Sequence, residues 1–220
     1  MKSPSRCAIT CSSNSLNYTP LAAATASMPI GLLLDKLATG DYANPFPVEC
    51  ISLAEALAEK LISFPRRLAV HRARRGEDPG TLLDEKVWDL ALVRHLYDVH
   101  ALATTRPDLL ADADALGCLV GSVIAKDQAD FLNQHPRFAA DPRKEIVSVL
   151  TFAKESRELD AQYAAFVQDM VYSPAESNPT YAQALKAFEG VLSQAFAAID
   201  EQAARSTATA ERPTPSGPSL

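Results

Sequence analysis

The residues of this sequence best suited to act on a phosphate group are a lysine, a run of arginines and an aspartate. Lys60 precedes the segment Arg66–Arg75, which holds five arginines, and both ammonium and guanidinium groups bind phosphate oxygens. Arg94 and Asp98 are four residues apart, so on a helix they share one face. In a cleft, Asp98 could act as a general base. These residues predict a phosphorylated ligand, either a nucleoside triphosphate or an RNA.

Each of these residues also has a purely structural explanation. Lys60 beside Glu59 is typical of a solvated helix surface, and Arg94 with Asp98 can form a surface ion pair worth about 0.3–0.5 kcal/mol. The arginines can form a hydrated loop, since no aromatic residues alternate with them to stack bases. Spacing alone therefore favours the structural interpretation for Lys60 and for Arg94 with Asp98, and leaves both interpretations open for the arginines of Arg66–Arg75.

Motifs that would establish an enzyme or a metal site are absent from the sequence. There is no Gly-x-x-x-x-Gly-Lys-Ser/Thr loop, no His-Glu-x-x-His, no Gly-x-Ser-x-Gly and no Rossmann glycine pattern. Asp112 and Asp114 form an Asp-Ala-Asp, but it lies in a predicted helix with no Gly-Ser before it. The four cysteines and four histidines show no ligand spacing, so we predict no metal-binding residue.

Composition is typical of a globular protein in a reducing compartment. Hydrophobic residues make up 47% of the 220 residues, charged residues 22%, and the formal net charge is -6, which disfavours a wide basic surface for duplex nucleic acid. No run approaches the ~20 apolar residues that span a bilayer. Leu21–Leu34 resembles an export signal, but Pro29 and Gly31 interrupt it. We expect a cytoplasmic protein without a membrane partner.

Helical periodicity and turn residues predict a mainly α domain with short flanks. Residues 1–28, rich in Ser, Thr, Ala and Asn, are expected to be poorly ordered, residues 29–205 to form the domain, and residues 206–220 to form a disordered tail. One or two short strands are expected near residues 30–51, the clearest being Phe46–Ile51.

The first helix begins at a Ser-x-x-Glu capping box formed by Ser52 and Glu55, and Pro65 is predicted to end it. A basic loop is predicted to follow over Arg66–Gly80. Further helices are predicted at Leu82–Leu102, Pro107–Leu116, Leu119–Asn133, Lys144–Phe152, Leu159–Val171 and Tyr181–Arg205.

Three segments together resemble the AbiEii/AbiGii nucleotidyltransferase toxin family. They read FPVECISLAEALAEKLISFPRR from Phe46, LVRHLYDVHAL from Leu92 and YAAFVQDMVYSPAESNPTYAQALKAF from Tyr163, in the order and approximate spacing seen in that family. The similarity covers roughly residues 45–200. It implies the helical C-terminal half of a nucleotidyltransferase-like α/β fold.

The resemblance also implies roles for individual residues. Lys60 and Asp98 match positions that are catalytic in the family. Arg66 or Arg67, together with Arg94, match positions that would bind the nucleotide or its phosphates.

This chain departs from the family pattern at two places. The family commonly reads Arg-Asp-x-Tyr-Asp where Arg94–Asp98 reads Arg-His-Leu-Tyr-Asp, so Tyr97 matches while His95 replaces the first acidic residue. The family also carries a Gly-Ser motif followed by an Asp-x-Asp, which hold metal and triphosphate, and residues 1–44 contain neither.

By resemblance, the whole enzyme would transfer a nucleoside monophosphate from an NTP to an acceptor such as tRNA, using Mg²⁺. It would be the toxin of a toxin–antitoxin pair used in phage defence. Because the metal motif is missing, we expect this chain to be truncated, inactive alone and without a cofactor of its own. One alternative is a non-catalytic helical module that binds an antitoxin or RNA through Arg66–Arg75. Another is a helical bundle with a regulatory role.

Overall fold

The computed structural model describes residues 26–30, 46–74, 89–172 and 177–210. Strands β1 (Ala26–Ile30) and β2 (Phe46–Cys50) pair antiparallel, with Met28 opposite Val48. The helices are α1 (Leu53–Arg74), α2 (Arg94–Thr105), α3 (Asp108–Ala111), α4 (Ala113–Asp130), α5 (Pro136–Ala140), α6 (Pro142–Glu155), α7 (Arg157–Met170) and α8 (Tyr181–Ala210), with a 3-10 helix at Leu90–Val93. The prediction of a mainly α fold is confirmed.

Of the two strands, β2 agrees with the sequence prediction, whereas β1 lies mostly before the predicted region. β2 covers the predicted strand Phe46–Ile51 except for its last residue, and β1 begins at Ala26, inside the segment predicted to be poorly ordered. The rest of residues 1–28 and the apolar run after Ile30 lie outside the described residues.

Helix α1 starts where the capping box predicts but does not end at Pro65. The Ser52 hydroxyl accepts the Glu55 backbone N–H at 3.1 Å, as the box requires. The helix then continues through Pro65 to Arg74, so the predicted end at Pro65 and the predicted loop over residues 66–74 are wrong. A proline inside a helix costs about 3 kcal/mol. Burial outweighs that cost, because residues on both sides of Pro65, including Phe64 and Leu68, are buried in the core.

Within the long helix predicted over Leu82–Leu102, Asp89 caps the start of a helical segment. The Asp89 carboxylate accepts the Ala91 N–H at 2.9 Å and starts the 3-10 helix, after which α2 runs to Thr105. A capping aspartate favours a new helical start over continuation of an earlier helix. Residues 82–88 of the predicted helix lie outside the described residues.

A second division falls at Asp112, inside the predicted helix Pro107–Leu116. Its carboxylate accepts the Ala115 N–H at 2.9 Å, ending the short α3 and beginning α4. Pro136 and Pro142, taken from the sequence as separators, instead open α5 and α6, since proline fits the first turn of a helix. Helix α8 begins at the predicted Tyr181 and continues to Ala210, five residues beyond the predicted end.

Helix α8 is the element that closes the core. It packs against α2, α4, α6 and α7, and its Phe188 meets Phe64 of α1 edge to face with ring centroids 5.4 Å apart. Gly117 permits close approach of α4 and α8, because a Cβ there would lie 2.9 Å from the Ala198 Cβ. In the described part of the chain, no helix combines the length and apolarity needed to span a bilayer.

The outer half of α8 is fastened by polar contacts on the surface. Arg143 of α6 donates two hydrogen bonds to Asp200 at 2.6 and 2.8 Å. Arg205 donates to both carboxylate oxygens of Asp114 on α4, the shorter bond being 2.7 Å. Paired, planar contacts of this kind fix orientation as well as adding energy.

Candidate functional site

Lys60 and Asp98, which lie in different segments of the sequence, meet in the fold. Lys60 on α1 donates from Nζ to Oδ2 of Asp98 on α2 at 2.6 Å. The two helices pack against each other through their apolar faces, which bury Leu57 and Leu61 on one side and Leu96 on the other. The side chains of the pair remain 27% and 34% exposed, so a dissolved ligand can reach them.

Arg67 and Arg94 add positive charge beside this pair. Arg67 lies on α1 about two turns after Lys60 and donates to the Asp89 carboxylate, with both side chains more than a third exposed. Arg94 is exposed at the start of α2 and forms no ion pair with a described residue. The local Arg94–Asp98 pair considered from spacing does not form, because Asp98 is held by Lys60.

His95 is the buried member of the group. It is only 7% exposed, and neither ring nitrogen has a hydrogen-bond partner among the described residues. Burial and, to a smaller extent, the positive charges of Lys60, Arg94 and Arg67 together lower the pKa of His95 to about 4, although Asp98 raises it. The imidazole is therefore neutral near pH 7. We call Lys60, Arg67, Arg94, His95 and Asp98 the Lys60 cluster.

Arg66 is directed away from the Lys60 cluster. Its Nε donates to Oδ2 of Asp127 on α4 at 2.7 Å, and its guanidinium lies over the Phe131 ring, 3.7 Å from the centroid. The two partners are 12% and 6% exposed. Sequence resemblance left Arg66 and Arg67 as equivalent candidates for phosphate binding, and the fold brings only Arg67 to the cluster.

The other described arginines of the predicted basic loop lie on helix α1. Arg72 lies on α1 with its guanidinium 4.3 Å from the centre of the Phe152 ring. Residues 75–80 of the predicted loop lie outside the described residues. The surface on which the antitoxin- or RNA-binding alternative depends is thus partly used for packing inside the domain.

Two carboxyl groups are desolvated where α1 faces α4, namely Glu59 on α1 and Asp127 on α4. Burial raises the pKa of Glu59, although Lys126 opposes the shift, and one Glu59 carboxylate oxygen is buried without a hydrogen-bond partner in the described part. Burial also raises the pKa of Asp127 by more than its partner Arg66 lowers it. This side of α1 is a packed polar interface, whereas the Lys60 side is open.

Sequence reasoning missed Asp89 and Asp127. Asp89 carried one usable signal, since an aspartate before an apolar run is typical of a helix N-cap. Asp127 carried none, because its partner lies 61 residues away. His95 was noticed as a departure from the family pattern, but nothing in the sequence indicated its burial.

The described residues contain no preformed cluster of metal ligands. No group of three or more His, Cys, Asp or Glu side chains is close enough to hold a metal within that part of the chain. Asp98 pairs with Lys60 and Asp89 with Arg67. Asp112 caps α4 and Asp114 binds Arg205, so the Asp-Ala-Asp sequence serves the fold.

Comparison with protein families gives a match to the nucleotidyl transferase AbiEii toxin of type IV toxin–antitoxin (TA) systems, over residues 19–194. The match begins well before the roughly 45–200 expected from the three sequence segments and includes both strands and the whole Lys60 cluster. Comparisons with curated proteins and with solved structures found no match to this chain.

Proposed function

Because the chain belongs to the AbiEii nucleotidyl transferase toxin family of type IV toxin–antitoxin systems, we propose that its Lys60 cluster binds the phosphates of an NTP. The observation that carries this proposal is the contact between Lys60 Nζ and Asp98 Oδ2 at 2.6 Å, which joins two family positions across α1 and α2. In the proposed reaction the nucleoside monophosphate passes to an RNA hydroxyl, with tRNA as the acceptor.

The charges of the cluster suit a polyphosphate. Lys60, Arg67 and Arg94 provide three positive charges, and the carboxylates of Asp98 and Asp89 provide two negative charges. A half-exposed ion pair is worth only about 0–1 kcal/mol, so a multiply charged phosphate can displace Asp98 from Lys60. Arginine forks match phosphate oxygens with two parallel hydrogen bonds, which suits Arg67 and Arg94.

Each residue of the cluster then has a distinct task. Lys60 stabilises the charge that develops on the phosphate oxygens as the acceptor oxygen attacks the α-phosphorus and pyrophosphate leaves. Asp98, released from Lys60 by the phosphate, accepts the proton of the attacking hydroxyl. Arg67 and Arg94 hold the triphosphate in place.

The family reaction uses magnesium to neutralise phosphate charge. Among the described residues, no group of three or more His, Cys, Asp or Glu side chains lies close enough together to hold a metal ion. We propose that this chain binds NTP but does not complete transfer alone. Cytoplasmic location, a role in phage defence and an antitoxin partner are further proposals that rest on family membership.

Binding is tested with ATP by equilibrium dialysis on the whole chain. Replacing Lys60 with alanine should weaken ATP binding roughly tenfold to a hundredfold, since a hydrogen bond to a charged group contributes about 1.5–3 kcal/mol. The matched control is Lys154→Ala, which removes the same charge from an exposed pair with Glu189. Equal weakening by both substitutions, or no ATP binding by the unsubstituted chain, would refute the proposed site.

Transfer is tested separately with labelled NTP, tRNA and magnesium. The chain alone should incorporate no label. Robust labelling that is abolished by Lys60→Ala would contradict the proposed inactivity while supporting the assignment of Lys60.

A further inference from the structure

Both carboxylates of this site that lie in the described residues are paired with cations. Asp98 is bound by Lys60, and the neighbouring Asp89 is divided between the Arg67 guanidinium and the Ala91 backbone N–H. Magnesium prefers oxygen ligands, commonly one or two carboxylates together with the phosphates of the substrate. A cation bound here would have to displace Lys60 or Arg67 from its partner.

His95 occupies the position at which the family pattern has an acidic residue, and its side chain is a neutral ring. His95 lies one helical turn before Asp98 and is more than nine-tenths buried among the cluster's charges. Both its nitrogens lack a hydrogen-bond partner in the described part of the chain, so it contributes no negative charge and no oxygen. Among the described residues of this site, the three cations thus exceed the two carboxylates, and the net charge is positive.

From this charge arrangement we infer that the Lys60 cluster binds the triphosphate as the metal-free anion, and that Mg²⁺ weakens this binding. The inference rests on the proposed function, because it concerns the same ligand at the same residues. Its physical basis is competition: Mg²⁺ cancels part of the phosphate charge and occupies the oxygens that Lys60, Arg67 and Arg94 would contact. A site built with free carboxylates would show the opposite dependence.

The decisive measurement compares the Kd of ATP in EDTA with the Kd of ATP saturated with magnesium, at matched ionic strength. Matching is required because salt alone screens exposed charges. We expect the Kd to be roughly tenfold higher with magnesium, as for the loss of one charge-assisted contact. An unchanged or lower Kd in magnesium overturns the inference.

The same titrations separate this inference from the proposed function. If ATP does not bind in either buffer, or binds equally well to the Lys60→Ala chain, the proposed site itself is wrong. If binding depends on Lys60 but magnesium strengthens it, the site stands and only the metal-free form is refuted.

A substitution at Asp98 gives an independent check. Asp98→Asn keeps the side-chain shape but removes the charge that competes with phosphate for Lys60, so ATP in EDTA should bind several-fold more tightly. Circular dichroism establishes that the variant is folded. Weaker binding by a folded Asp98→Asn chain would count against competition between the carboxylate and the phosphate, and would overturn the inference.

Discussion

Arg66 and Arg67 are adjacent in the sequence and belong to opposite sides of α1. Arg66 reaches α4, where it pairs with a buried aspartate and lies on an aromatic ring. Arg67, a member of the Lys60 cluster, pairs with Asp89 at a half-exposed position. Successive residues on a helix are turned by about 100°, which is enough to place one arginine in the packed interior and the next at the open site.

In a motif with two arginines, the exposure of each ion pair distinguishes the structural arginine from the one that can bind a ligand. An arginine whose partner is 6% exposed is part of the core, and replacing it affects folding first. An arginine whose ion pair is more than a third exposed can exchange its partner for a ligand at small cost. We therefore assign the phosphate-binding role to Arg67 and a stabilising role to Arg66.

The largest expected effect is a loss of stability when Arg66, whose ion pair is buried, is replaced. Arg66→Ala leaves Asp127 buried without its cation and should lower the free energy of unfolding by about 3–5 kcal/mol. Arg67→Ala should lower it by less than about 1 kcal/mol, because its pair is exposed. Urea unfolding at pH 7.5 measures both, and similar losses for the two variants would remove the distinction.

The next effect concerns pH and His95. Its folded pKa of about 4 lies below the unfolded value of 6.5, so the unfolded chain takes up the proton first as the pH falls. Stability from this group is complete above pH 6.5 and is lost as the pH falls toward 4, to a limit of roughly 3 kcal/mol. The charges facing His95 are Lys60 and Arg67 on α1 and Arg94 and Asp98 on α2.

Urea unfolding between pH 7.5 and 5 checks this dependence, with His95→Leu as the variant that cannot titrate. The loss of stability in the normal chain should be largely absent from the variant. Glu59 and Asp127 act in the opposite sense, because their raised pKa values favour the folded state as they protonate. Identical pH profiles for the two chains would show that His95 is not the group responsible.

The smallest expected effect is on ATP binding, when Arg67, whose ion pair is exposed, is replaced. Arg67→Ala should weaken ATP binding roughly tenfold, for the loss of one charge-assisted contact. Arg66→Ala, assayed under conditions in which circular dichroism shows that it is folded, should bind ATP almost normally. The opposite order of affinities would transfer the phosphate-binding role from Arg67 to Arg66.

Local signals in the sequence predicted much of the fold. Apolar spacing located most of the helices, and Ser52 marked the start of α1. The errors at Pro65 and Asp112 have different causes. At Pro65 tertiary burial overrides a local helix breaker, which a local pattern cannot show. At Asp112 the cap was visible in the sequence but was taken for part of a continuous apolar period.

The candidate site was predictable only in part. Family resemblance selected Lys60 and Asp98, and the fold brings them together although 38 residues separate them. Spacing alone favoured a local contact between Arg94 and Asp98, because helical neighbours are the only partners that a sequence displays directly. The choice between Arg66 and Arg67 required the positions of α2 and α4, which no local pattern contains.

The position of α8 has a consequence for how the domain is synthesised. The earlier helices leave the ribosome with their shared apolar surface uncovered until Phe188 and the residues after it have emerged. The contact of Arg143 with Asp200 and that of Arg205 with Asp114 form later still. Asp200 and Arg205 both lie in the C-terminal half of α8, which is about 45 Å long. During translation, assembly of the core therefore waits for α8, and the earlier helices are expected to remain incompletely folded until α8 has emerged.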